Sequence, residues 1–187
     1  MIDIATRKDK TLAVIGLGAS GLAAARALQA SGAQVLAWDD CSEQREAAER
    51  SGIPVTHTSN MAFDTLQAII LSPGIPLHHD RHPIVDRAKA ARCPIIGDIE
   101  LLVEACPQAR FVGITGTNGK STTTTLLGHI LETAGISAQI GGNLGPPALN
   151  FEPPEPDDVI ILELSSYQLD LIEKPAWASS LPDSSSC

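Results

Sequence analysis

Short apolar runs recur along the chain at residues 12–15, 34–38, 68–71, 94–96, 111–115, 138–140 and 159–164. They are aliphatic, often β-branched, and too short for helices, so they read as strands. The stretches between them suit helices. Residues 22–31 are rich in Ala and Leu and are followed by Gly32, a residue type that closes helices in the left-handed conformation. Residues 123–132 have the same form, with Gly135 behind them. Asp98-Ile-Glu-Leu-Leu-Val-Glu-Ala105 predicts a further short helix N-capped by Asp98 and broken at Cys106-Pro107-Gln108. Strand and helix signals that alternate in this way predict an α/β fold of parallel sheets joined by right-handed crossovers.

The break near Pro107 predicts a domain boundary, giving one domain over residues 1–107 and the start of a second over 108–178. Residues 179–187 are serine-rich and do not continue the alternation, so they read as an aberrant tail. The second unit offers only about three strands, too few to close an ordinary nucleotide-binding core. An incomplete domain with unpaired strand edges is expected. Residues 151–158 form a Pro-rich acidic loop, and no internal repeat is present.

Composition narrows the function classes. A formal charge of −9 and a pI near 4.9 argue against non-specific nucleic-acid binding, which needs clustered Lys and Arg. No apolar stretch approaches a membrane span, and residues 1–10 carry charges where a secretion signal has an apolar core. A cytoplasmic, monomeric protein is expected. Cys41, Cys93, Cys106 and Cys187 are too scattered for a zinc site or a disulfide framework and read as reduced thiols.

Two glycine-rich turns carry the candidate chemistry. Gly16-Leu-Gly18-Ala-Ser-Gly21 follows the first strand and opens a helix, with Asp39 and Asp40 after the second strand. This is the dinucleotide fingerprint: glycines for the turn and for close approach to phosphate, and an acid for a ribose hydroxyl. Taken alone it fits NAD or FAD, another nucleotide-like ligand, or a tight turn with no ligand. The second turn is Gly113-Ile-Thr-Gly116-Thr-Asn-Gly119-Lys120-Ser121-Thr122 after the apolar Phe111-Val112. Backbone N–H groups, a lysine and a hydroxyl in that order cradle nucleotide phosphates and a Mg²⁺ ion. The spacing differs from the strict Walker A pattern, because Ile114 stands where that pattern has glycine.

Four weaker signals accompany them. Glu163 ends a buried strand downstream of the phosphate loop, where a metal contact belongs, although a solvated strand-end acid reads the same way. Gly141-Gly-Asn143-Leu-Gly145 and Ser72-Pro73-Gly74 each follow a strand and suit either a ligand or a plain turn. His78-His-Asp-Arg-His82 fits a solvated polar loop better than a metal site, because it lacks further spaced ligands.

Thr115-Gly-Thr-Asn-Gly-Lys-Ser-Thr122 resembles the ATP loop of the Mur ligases, which departs from Walker A in the same way. Gly16-Leu-Gly18-Ala-Ser-Gly21, Leu71-Ser-Pro-Gly-Ile75, Gly97-Asp-Ile-Glu100, Gly142-Asn-Leu-Gly145 and Glu163-Leu-Ser-Ser-Tyr-Gln168 are similar to further segments of that family. The likeness runs from about Leu12 to Ile172 and continues in Lys174-Pro-Ala-Trp-Ala178. It implies a Rossmann-like N-terminal domain that binds the UDP part of a sugar nucleotide, followed by an incomplete P-loop-type ATPase α/β domain. Gly18, Ser20, Asp39, Ser72, Pro73 and Gly74 then become substrate contacts, with Asn143. Gly116, Thr117, Asn118, Gly119, Lys120, Ser121 and Thr122 become the ATP site, with Lys120 stabilising the transferring phosphoryl and Ser121 and Glu163 holding Mg²⁺. Asp40-Cys41 stands where relatives often carry Thr-Arg.

The resemblance also implies a reaction of peptidoglycan precursor synthesis. ATP phosphorylates the carboxylate of UDP-N-acetylmuramoyl-L-alanine, and the amine of D-glutamate attacks the acyl phosphate to form an amide. Family members carry a metal-ligating His, a carbamylated Lys and an amino-acid-binding domain further along, and none of these precedes Cys187. A truncated chain without ligase activity of its own is therefore expected. The competing readings are an NAD-binding oxidoreductase with a second Gly-rich loop, and a non-catalytic UDP-sugar-binding remnant.

Overall fold

The computed structural model describes residues 1–78 and 81–172. His79 and Asp80 of the histidine-rich loop, the Lys174-Pro-Ala-Trp-Ala178 segment and the serine-rich tail lie outside the described residues. The first sheet holds β1 (Thr11–Ile15), β2 (Gln34–Trp38), β3 (Ala68–Leu71) and β4 (Ile95–Ile96), all parallel in the order β2-β1-β3-β4. Helices α1 (Ala19–Ala30), α2 (Ser42–Arg50), α3 (Pro83–Ala90) and α4 (Asp98–Ala105) accompany these strands. The second sheet holds β5 (Arg110–Ile114), β6 (Ala138–Gly142) and β7 (Val159–Glu163), parallel in the order β5-β7-β6, with α5 (Lys120–Thr133) between β5 and β6 and α6 (Ser166–Leu171) after β7. The α/β architecture with parallel sheets is the one that the alternation predicted.

Strand β1 shows why the first sheet is covered on both faces. Leu12 and Val14 pack into one apolar cluster, while Ala13 and Ile15 pack into another with Phe63, Ile84 and Val85. Period-two alternation with both faces apolar is what a parallel sheet requires. The first of these clusters continues into the second sheet. A short turn at Ala148–Asn150 packs against α1 and α4. Its Ala148 and Leu149 are fully buried, and they join Leu101 and Leu102 to Ile160, Leu162 and Leu164. Burying each such leucine contributes about 2 kcal/mol, so the two sheets are bound by a shared core. β7, the middle strand, is buried throughout, whereas β5 and β6 are edges among the described residues and are only half-buried.

Three helix starts differ from the sequence expectation, and the first is α1, which begins at Ala19 rather than at Leu22. Asp98 is the first residue of α4 and Gly97 is its N-cap, with the Glu100 carboxylate accepting the Gly97 N–H at 2.7 Å. Asp98 therefore leaves the capping role to its neighbours and turns inward, where it is buried. The helix after the phosphate loop begins at Lys120 rather than at Thr123, because Gly119 adopts φ +77° and turns the chain directly into the helix.

The topology fixes where a ligand can sit. The chain passes from β1 to β2 on one side and later places β3 on the other side of β1. The crevice beyond the carboxyl ends of β1 and β3 is the switch point of the sheet, where ligands of such folds bind.

Candidate functional site

The glycines after β1 divide into structural and open positions. Gly16 has φ +85°, and a Cβ on Gly21 would lie 1.8 Å from the Gly16 carbonyl oxygen, so neither position admits a side chain. A Cβ on Gly18 would meet nothing within 4 Å. Gly18, at the N-cap of α1, therefore leaves room for close approach of a ligand to the backbone. Asp39 reaches back to this turn: its Oδ2 accepts the Leu17 N–H at 2.6 Å, and its Oδ1 accepts the Cys41 N–H at 2.8 Å. Both oxygens of the acid expected to face a ribose are thus engaged by the backbone.

Between the two sheets lies a cleft of about 250 Å³ lined by Ser20, Ser72, Pro73, Gly74, Asn143 and Gln168, among others. Five of these were singled out in the sequence, and they come from the segments that follow three strands, β1 and β3 of the first sheet and β6 of the second. Gln168 was not assigned a role there. Its Oε1 accepts the Ser165 N–H at 3.0 Å while its N–H bonds to Ser165 Oγ at 3.2 Å, a capping box that fixes α6 against the cleft. A second hollow of about 210 Å³ is lined by Ile15, Gly16, Trp38, Asp39, Ile75 and His82, with Asp40.

The phosphate loop sits at the end of β5. Gly116 has φ +144° and Gly119 φ +77°, and the Lys120 ammonium donates to the Gly116 carbonyl at 2.7 Å. No side chain caps α5, so its first-turn N–H groups remain available to an anion. Thr117, Asn118, Gly119, Ser121 and Thr122 are exposed at the mouth of the loop. Thr124, by contrast, is fully buried and its hydroxyl faces the core rather than the phosphates.

Glu163 connects the two regions. It ends the middle strand β7, paired in register with Ile114 on one side and Gly142 on the other. Its Oε2 accepts the Ser121 hydroxyl at 2.7 Å and its Oε1 accepts the Asn143 amide at 2.9 Å. The Asn143 backbone N–H also reaches the Glu163 carbonyl at 2.9 Å. With only 3% of its surface exposed, Glu163 would be driven toward the neutral form by burial alone. The Asn143 and Ser121 hydrogen bonds outweigh that, and with a lesser contribution from Lys120 they hold its carboxyl below the usual range. Serine hydroxyl and ionised carboxylate side by side form a hard-oxygen donor pair that suits Mg²⁺, a metal that takes few protein ligands and completes its shell with phosphates and water. Among the described residues there is no group of three or more His, Cys, Asp and Glu able to hold a metal by themselves.

Two family profiles match the sequence: "Mur ligase MurD-like, N-terminal domain" over residues 10–97 and "Mur ligase middle domain" over residues 114–178. The chain belongs to the Mur ligase family. It is 48% identical over 172 residues to the UDP-N-acetylmuramoylalanine–D-glutamate ligase of Paramagnetospirillum magneticum, a match covering 91% of this chain and 38% of that protein. The same-named ligase of Rhizobium johnstonii is 46% identical over 176 residues, covering 91% of this chain and 37% of that protein. The chain thus spans less than two fifths of the length of these curated relatives. A solved UDP-N-acetylmuramate:L-alanyl-gamma-D-glutamyl-meso-diaminopimelate ligase from Neisseria meningitides aligns with a TM-score of 0.48 at 20% identity, covering 82% of this chain and 52% of that one. In this Mur ligase chain, the N-terminal profile covers the first sheet and its switch point, and the middle-domain profile starts at Ile114 and takes in the phosphate loop, Asn143 and Glu163.

Two groups escaped the sequence reading. Asp98, 3% exposed, lies beneath the cleft close to Ser20 and Gln168. Burial pushes its carboxyl above the usual range, against a smaller opposing pull from Ser20, its own and the Ile99 N–H, and Gln168. His82 does not stand free in a polar loop: its Nε2 lies 2.9 Å from Asp40 and its Nδ1 accepts the Ile84 N–H at 3.2 Å, which caps α3. The Pro83 that follows His82 was the available signal, because proline favours the first position of a helix.

Proposed function

We propose that this chain carries the sugar-nucleotide and ATP-phosphate sites of an ATP-dependent amide ligase that joins D-glutamate to UDP-N-acetylmuramoyl-L-alanine. The observation that carries this reading is the position of Glu163. One carboxylate bonds both to Ser121 of the phosphate loop and to Asn143 of the interdomain cleft. A phosphoryl donor on one side and a carboxylate acceptor on the other would meet there. The identity to D-glutamate-adding ligases supports the choice of substrate.

In this reading the diphosphate of the sugar nucleotide lies against Gly18, Ser20 and the Ser72-Pro73-Gly74 turn, and its muramoyl end extends to Asn143. The uridine enters the hollow beside Asp39. The ATP phosphates lie over Gly116 to Thr122. Lys120, now bonded to the Gly116 carbonyl, would turn to the phosphates and neutralise the charge that builds on the transferring group. Ser121 and Glu163 would hold Mg²⁺, which when bound would draw negative charge from the phosphate oxygens. The substrate carboxylate would attack the γ-phosphorus with ADP leaving, and the D-glutamate amine would then displace phosphate from the acyl phosphate. The chain would act in the cytoplasm, where these nucleotide substrates are made. No helix among the described residues is long and apolar enough to cross a membrane.

Binding is the direct test for a chain that spans 38% of its relatives. Calorimetric titration with UDP-N-acetylmuramoyl-L-alanine and with Mg·ATP should give two independent saturable sites. Preferential binding of NADH at the first site would replace this reading by the oxidoreductase one.

A further inference from the structure

The second hollow has an unusual construction. Its floor is Ile15 and Gly16 at the end of β1, one wall is Trp38 to Asp40 after β2, and the other is Ile75 and His82 after β3. Because β1 lies between β2 and β3, any bond between the two walls spans the end of the central strand. That bond is His82 to Asp40, at 2.9 Å.

Each partner is fixed from its other side. Nδ1 of His82 accepts the Ile84 N–H at 3.2 Å, so the neutral ring carries its proton on Nε2 and donates it to Asp40. The other Asp40 oxygen accepts the Trp38 indole N–H at 3.0 Å. The Trp38 ring lies beneath the Arg45 guanidinium, 4.6 Å from its centroid, and meets the His57 ring edge-on at 4.5 Å. Arg45 also donates to the carbonyls of Asp39 at 2.7 Å and Asp40 at 2.9 Å. Both walls are therefore held at a set separation, and the space between them suits a flat ring that is apolar on its faces and polar at its edge.

We propose that His82 is a positioning residue for the nucleoside end of the sugar nucleotide, setting through Asp40 the width of the slot that receives the uracil ring. This rests on the sugar-nucleotide reading given above. The Asp40 side chain is 70% exposed and that of His82 23%, so the bond adds little to global stability. Its effect is local and separable from folding.

Two substitutions divide the roles of the imidazole. His82→Asn keeps an acceptor for the Ile84 N–H but is too short to reach Asp40. His82→Gln places an amide N–H where Nε2 stands. Titration of the full chain with uridine 5′-diphosphate, followed by Trp38 fluorescence in a Trp177→Phe background, should show about fivefold weaker binding for H82N, equivalent to ~1 kcal/mol. H82Q should recover most of the loss, Asp40→Ala should match H82N, and Mg·ATP affinity should stay constant throughout. H82N or D40A binding uridine 5′-diphosphate as tightly as the wild type would overturn the proposal, as would H82Q no better than H82N or an equal loss of both ligands. A wild-type chain that binds no uridine 5′-diphosphate would instead sink the sugar-nucleotide reading, and this proposal with it.

Discussion

The Ser121 hydroxyl donates to Glu163 Oε2 at 2.7 Å, tying the first turn of the phosphate-loop helix to the end of the middle strand. Asn143 donates to the opposite oxygen, so the carboxylate faces donors on both sides. Glu163→Gln would set its amide N–H against one of those donors. The lost hydrogen bond should cost about 1 kcal/mol and lower Tm by ~2–4 °C. The pH dependence has a definite sign. A carboxyl held below its ordinary value of 4.5 stabilises the fold above that pH and loses its contribution as pH falls through the folded-state value. The Tm gap between wild type and E163Q should therefore close in acid. E163Q should also remove the Mg²⁺ dependence of ATP binding, read by calorimetry with and without the metal.

Lys120→Met separates binding from stability. The ammonium donates to the Gly116 carbonyl in an exposed loop. Tm should move by less than about 2 °C, as expected for a surface change. ATP affinity should fall roughly 10–100-fold, since hydrogen bonds to charged groups are worth about 1.5–3 kcal/mol. Unchanged ATP affinity would remove Lys120 from the phosphate site.

The two glycines of the first turn should respond differently. A Cβ on Gly21 would press on the Gly16 carbonyl oxygen at 1.8 Å, backbone against backbone, with no flexible side chain to give way. Gly21→Ala should cost about 3 kcal/mol, lowering Tm by ~6–12 °C. A Cβ on Gly18 points into open space, so Gly18→Ala should cost no more than about 1 kcal/mol through the helix cap. Its loss should appear in uridine 5′-diphosphate affinity. Equal Tm values for the two variants would contradict the division of roles.

The strands were legible because buried parallel strands leave compact aliphatic runs. The bounds of β2 and β3 at residues 34–38 and 68–71 coincide with those runs. The turn at residues 113–122 was legible as a glycine-rich loop opening a helix because its residues are contiguous in sequence. Helix α2 left no periodic signal, since it buries only Ala48 and is otherwise polar. The hub at Glu163 draws on residues 42 and 20 positions away, and His82 lies 42 positions from Asp40. Such pairings depend on strand order, which local pattern does not specify. Asp98 misled for a related reason: an acid at a helix start reads as a cap, and only the packing of α1 and α6 over it turns it into a buried group.

Asp98 gives the most direct test of that burial. Neither carboxyl oxygen has a partner in hydrogen-bonding geometry, and burial raises its pKa above the ordinary 3.8. A folded state that holds the proton more tightly than the unfolded chain loses stability as pH rises between the two pKa values. Asp98→Asn keeps the shape and removes the ionisation. Below about pH 3.8 the two proteins should melt together. Above the folded-state value D98N should melt a few degrees higher, because it no longer has to keep a charge, or a proton, in an apolar setting. The difference should grow as pH rises from 3.8 toward the folded-state value and level off above it. Thermal melts across pH 3–8 would decide the matter, and a D98N chain that is less stable than wild type at pH 7 would mean that Asp98 is ionised and paired with the Ser20 and Gln168 donors.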